Sequence, residues 1–89
     1  MPEQKKPDMY FREAAEDGKT ALDIYYKIKE ISTIDVNITE VNKDGIIIYD
    51  TRISRKAVEN KFNYLKMIQI EEEDFNKKII EKLNEKESK

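Results

Sequence analysis

The residues that could do chemistry in this chain are few, and their types narrow what that chemistry could be. Histidine and cysteine are both absent. That removes the usual general base, a Ser–His arrangement, the commonest metal ligand, a thiolate nucleophile and any disulfide framework. Two glycines in 89 residues cannot build a Gly-rich phosphate loop. Carboxylates remain, and pairs such as Asp35 with Asp50, or Glu71 with Glu72, fall in stretches that read as solvated strand and helix positions. Asp35-Val-Asn37-Ile-Thr39 is plain strand alternation rather than a calcium loop, which needs a closing Glu. The expectation is a protein that is not an enzyme and holds no cofactor or metal.

Three other groups of side chains stand out. Arg52, Arg55, Lys56, Lys61 and Lys66 gather around the start of a helix, where cations oppose the macrodipole. They form a candidate contact for a phosphate, a nucleic-acid backbone or a partner's carboxylates, against the plainer reading of a solvated face paired with acids such as Glu59. The acidic run Glu71 to Asp74 reads first as the dipole-matched opening turn of a helix, and otherwise as a decoy for a basic surface. The third group is tyrosine. Tyr49 belongs to a predicted core face, and Tyr25 and Tyr64 lie at or beside helix stripes. Tyr10 and Tyr26 have no evident core role and are candidates for an interface, where tyrosine brings large area at low entropy cost, against the plainer reading of core or half-buried packing for most of the five.

The elements that would position these residues follow from periodicity. Asp8 can cap a short helix through Asp17, with Gly18 as its stop. Thr20 to Asp23 has capping-box spacing, and Ala21, Ile24, Tyr25, Ile28 and Ile31 recur at helical intervals. The first third of the chain therefore reads as an N-terminal helix, bent near Gly18 or divided there. Beyond it, Thr33–Val41 alternates and Gly45–Ile53 is rich in Ile, Tyr and Thr, joined through Asn42-Lys43-Asp44-Gly45. Asp-Gly is the strongest short hairpin signal. With Asp44 and Gly45 as a two-residue loop, Lys43 faces Ile46. One face then collects Ile34, Val36, Ile38 and Glu40 with Ile53, Thr51, Tyr49 and Ile47. The other collects Asp35, Asn37, Thr39 and Val41 with Arg52, Asp50 and Ile48. A slip of one residue would exchange the faces.

Ser54 caps the next helix, with Ile53 and Val58 as a hydrophobic staple. Val58, Phe62, Leu65 and Ile68 form one stripe, and Phe75, Ile79 and Leu83 another. One unbroken helix would run about 50 Å, too long for a domain of this size. A break near Ile68 to Ile70 is favoured over it, although no Gly or Pro enforces the break. The predicted class is α+β: N-terminal helix, central antiparallel hairpin, and a C-terminal region of one long or two shorter helices. Residues 8–87 form a single domain, with a flexible tail over 1–7 and a frayed end at 88–89.

Charge and composition bound the partners. Lys and Arg number 17 against 19 Asp and Glu, so the basic excess typical of nucleic-acid binders is missing. No apolar run spans a membrane and the first residues lack a secretory core, so the expected location is cytoplasmic. The excess of Ile, Lys and Asn fits an AT-rich genome, as in many phages. By elimination, the sequence points to a small protein–protein interaction module, an adaptor, regulator or inhibitor, that forms a homodimer. Val41, Ile46 and Ile48 leave an apolar patch near the turn and are candidate interface residues beside Tyr10 and Tyr26. The alternative is a nucleic-acid-binding regulator using the basic helix start.

Overall fold

A computed structural model of the chain describes residues 7–87, with side chains described through Glu85. Where the periodicity predicts a bent N-terminal helix, the chain forms two antiparallel strands, β1 (Met9–Ala14) and β2 (Ala21–Ser32). The reason lies in what covers them. Met9, Tyr10 and Phe11 are all buried, and a strand buries three consecutive side chains when both of its faces are covered. A helix would turn one of the three to solvent. In β2, Ile24, Tyr26 and Ile28 line one face while Asp23, Tyr25 and Lys27 line the other. The same residues satisfy both periods over a short window, and pairing with β1 on one side and β3 on the other decides between them.

Gly18 adopts φ +69°, as the sequence requires of a residue ending a helix, but it serves a turn between strands. Asp17 organises that turn by accepting from the amides of Lys19 and Thr20 at 2.8 and 2.9 Å and from the Thr20 hydroxyl at 2.6 Å. Thr20 therefore spends its hydroxyl on Asp17 instead of capping a helix. These bonds to the charged form hold the Asp17 carboxyl well below the usual carboxylate range, at about 2.

The hairpin of β3 (Asp35–Asn42) and β4 (Gly45–Thr51) is present, with a corrected loop. Asn42 pairs with Gly45, so Lys43 and Asp44 form the loop. Neither has positive φ; Gly45, at φ +140°, takes the unusual conformation just outside it. The Asn42 side chain stabilises the bend by accepting from the Asp44 amide at 2.8 Å. This register differs from the expected one by two in the sum of paired residue numbers, which leaves the side chains of β3 and β4 on their predicted faces; Ile34, predicted on the core face, lies in the turn before β3 and is 64 % exposed.

Ser54 caps α1 (Arg55–Tyr64) by accepting from the Ala57 amide. The helix closes at Leu65, and Lys66 at φ +59° reverses the chain into β5 (Ile68–Gln69). The helical region is thus two helices, and α2 (Glu72–Glu87) begins with the acidic turn Glu72, Glu73, Asp74. The five strands form one antiparallel sheet in the order β4-β3-β2-β1-β5.

Two cores form because the helices take opposite faces. On the α1 face, Val58 and Phe62 pack on Met9, Phe11, Tyr26, Ile28, Val36 and Ile38. Phe62 meets Phe11 and Tyr26 edge-on, with ring centroids 5.2 and 5.4 Å away. On the α2 face, Phe75 packs on Tyr10 and Val41, with Ile79 and Ile70 beside them. Burying a side chain such as Ile28 or Val41 completely contributes about 1.5–3 kcal/mol. Both cores centre on β1, β2 and β3.

Candidate functional site

The two cores leave the sheet edges unequal. Strand β5 has two residues, and its continuation Ile70 donates its amide to the Tyr10 carbonyl at 3.0 Å before the chain turns into α2. Strand β4 has seven residues and closes the other end of the sheet, with no strand beyond it among the described residues. Its sequence, Gly45-Ile-Ile-Ile-Tyr-Asp-Thr51, has no lysine, proline or bulge, the devices that usually discourage pairing at an edge. Ile47 and Tyr49 lie on the α1 face, and Ile46 and Ile48 on the α2 face. All four are exposed, Ile48 the most at 65 %.

The hydrogen-bonding capacity of this edge follows from the register. A two-residue loop makes Asn42 and Gly45 a hydrogen-bonded pair, and such pairs alternate along the ladder. Gly45, Ile47, Tyr49 and Thr51 therefore spend their backbone groups on β3. Ile46, Ile48 and Asp50 direct theirs outward. Carried across the sheet, the alternation leaves Tyr10 bonding toward β5, and the Ile70-to-Tyr10 bond agrees. An apolar strand with an open row of donors and acceptors can accept another extended chain.

Beside the edge, Ile46 and Leu83 line a groove with Lys43, Asp44, Gly45, Lys82 and Glu85. Lys82 Nζ donates to the Lys43 carbonyl at 3.2 Å, tying α2 to the β3–β4 turn. Leu83 remains 48 % exposed next to Ile46 at 37 %, so the apolar surface runs from the strand onto the helix.

The residues singled out in the sequence divide accordingly. Ile46 and Ile48 stand on the exposed edge. Val41 is fully buried beneath α2, and Tyr10 and Tyr26 are buried in the two cores, so none of these three belongs to an open surface. The Tyr10 hydroxyl donates to Glu72 at 3.3 Å and that of Tyr26 to Glu13 at 3.0 Å. Burial, reinforced by Glu72 and Asp8, pushes the Tyr10 hydroxyl up to about 12. Burial and the bond to Glu13 raise Tyr26 as well. Tyr49, predicted in the core, is 40 % exposed because it stands at the edge, beyond the core that α1 covers.

Two members of the basic group contact the rest of the chain. Arg55 Nη2 donates to the Pro7 carbonyl at 2.8 Å, and Lys56 lies 4.0 Å from Glu59. Arg52 and Lys61 are exposed. Of the expected tail over 1–7, residues 1–6 lie outside the described part of the chain, as do residues 88–89. Asp35 is half-buried on β3, and Asp50 accepts from the Asn37 side chain across the hairpin at 2.9 Å.

One polar cluster was not foreseen. On the α2 face, Lys78 is buried and contacts Asp23 at 2.7 Å and Glu81 at 3.4 Å. Burial works to lower the Lys78 ammonium's pKa, and Asp23 and Glu81 outweigh it, so the net shift is upward. Arg12 lies 4.6 Å over the Tyr25 ring and donates to the Leu22 carbonyl, with Lys78 at 5.7 Å from the same ring. The cluster locks α2 onto β1 and β2. Its sequence signal, Asp23 opposite a helix lysine, was masked by the helical reading of Asp23. Among the described residues, no three acidic side chains converge to hold a metal ion.

Compared with known protein families, curated proteins and solved structures, the chain matches none.

Proposed function

We propose that the protein is a non-catalytic protein-binding module that works by accepting an extended chain along β4. The observation that carries this reading is the seven-residue edge strand with Ile46, Ile47, Ile48 and Tyr49 exposed. Backbone bonds at an open edge supply affinity, and the side chains on either face supply specificity. The composition supports the non-catalytic part, since neither His nor Cys occurs. The basic helix start supports a nucleic-acid reading less well, because Arg55 donates to the Pro7 carbonyl and the chain carries 19 acidic against 17 basic residues.

The test is capture by the tethered full chain from an extract of its host, run in parallel with Ile48→Lys. A protein held by the parent and lost by the variant, whose melting transition is retained, supports the reading. Capture that ignores the substitution overturns it. A salt series with generic duplex DNA checks the alternative: retention with a steep negative salt slope would replace this reading with phosphate binding.

A further inference from the structure

We infer that the chain accepted along β4 is the β4 of a second copy, paired antiparallel across a twofold axis that passes through Ile48. The inference rests on the proposed edge-docking function and names its partner. The argument is one of self-complementarity. A twofold contact presents the same strand to itself, so every pairing must suit both copies. The outward backbone groups belong to Ile46, Ile48 and Asp50, and hydrogen-bonded pairs must be drawn from these residues. Placing Ile48 opposite Ile48 sets Ile46 opposite Asp50 and lets the whole of β4, Gly45–Thr51, overlap its counterpart. That arrangement forms about six inter-chain ladder bonds.

The side chains favour this register on the α1 face, at the axis and at the two ends, while on the α2 face Ile46 lies opposite Asp50. On the α1 face, Ile47 of each copy meets Tyr49 of the other, an aromatic–β-branched pair of the kind that stabilises sheets. On the α2 face, the two Ile48 side chains meet at the axis. At each end Asp44 comes opposite Arg52, so unlike charges close the overlap; both are exposed in the single chain. A slip of two residues one way would bring Asp44 against Asp50 of the other copy. A slip the other way drops Gly45 and Ile46 out of the overlap. The register with the longest overlap is therefore also the one with matched charges. The product is a continuous sheet of twice five strands, with both β4 edges removed and both short β5 edges left outside.

Sedimentation equilibrium of the full chain, at concentrations on the order of micromolar and above, should give a mass near twice 10.6 kDa. Ile48→Lys should return it to a monomer that still melts cooperatively, at the temperature the parent shows when diluted to monomer, and Ile80→Lys, on the exposed side of α2, should leave the dimer intact. The chain has no cysteine, so Ile46→Cys, Ile48→Cys and Asp50→Cys each carry one spin label. The inter-copy dipolar coupling should be strongest at position 48 and weaker at both others. A monomer at every concentration overturns the inference, as does a dimer that survives Ile48→Lys or a coupling that peaks elsewhere. If the chain is monomeric yet captures an Ile48-dependent foreign protein, only the identity of the partner is wrong. If it is monomeric and captures nothing, the docking function falls as well.

Discussion

At one end of the sheet, β5 offers two residues before the chain turns into α2; at the other, β4 offers seven with three consecutive isoleucines. The short edge is brief because its chain turns away: Ile70 bonds inward to Tyr10 on β1, and Phe75 of α2 packs on the Tyr10 ring at 5.5 Å. The long edge has the β3–β4 turn tied to α2 through Lys82, and among the described residues no strand pairs with its outer side. Stability resides in β1–β3 and their two covering helices, while β4 carries apolar surface that the single chain does not use. The same residue type thus has opposite consequences in neighbouring strands, and substitution can expose the difference.

The largest effect is expected inside. Ile38→Asp places an unpaired carboxylate against Val58 and Phe62, at a cost of several kcal/mol, and should abolish the cooperative melt. The like substitution Ile48→Asp, one strand outward at 65 % exposure, should shift stability by no more than about 0.5 kcal/mol in the monomer. Comparable melting temperatures for the two would erase the distinction between interior and edge. Next comes Phe75→Ala, which empties the α2 core and should cost about 3–5 kcal/mol by denaturant titration. A negligible loss would mean that α2 is not packed on β1 and β3.

Proline separates the elements more gently. Glu72→Pro falls on the first residue of α2, where no intrahelical amide bond is lost, and should cost about 1 kcal/mol or less. Asn76→Pro, one turn onward, should cost about 3 kcal/mol or more. Equal losses would mean that the helix runs back through β5.

Alkaline titration gives the subtlest readout. The Tyr10 hydroxyl ionises near pH 12 in the folded chain against 10.0 when unperturbed. The neutral form is favoured by folding, so its contribution is full below pH 10 and is lost as pH climbs toward 12. Tyr26 acts in the same direction. Melting temperature followed across this window should fall less steeply in Tyr10→Phe; identical slopes would place Tyr10 outside the core.

Much of the second half of the fold is legible in the sequence. Ser54, the Val58–Phe62 spacing and the acidic turn at Glu72 are local signals, and local geometry obeys them. The hairpin faces are legible too, since a loop displaced by one position along Asn42-Lys43-Asp44-Gly45 keeps their parity. The N-terminal strands are not. Met9-Tyr10-Phe11 shows no alternation because both of its faces are covered, and the covering residues Phe62 and Phe75 lie far along the chain. The core role of Tyr10 and Tyr26 is hidden for the same reason, whereas the exposure of Ile46 and Ile48 is legible because a hairpin's turn end is defined locally.

Amide hydrogen exchange along β4 tests the central claim most directly, because the alternation gives neighbouring residues opposite expectations. In dilute solution the amides of Ile47 and Tyr49, bonded to β3, should exchange slowly, and those of Ile46, Ile48 and Asp50 should exchange freely. Raising the concentration should slow the second set and leave the first as it was. Uniform protection along β4 at every concentration would mean that the strand has no open edge, and free exchange of the second set at every concentration would mean that no second copy covers it.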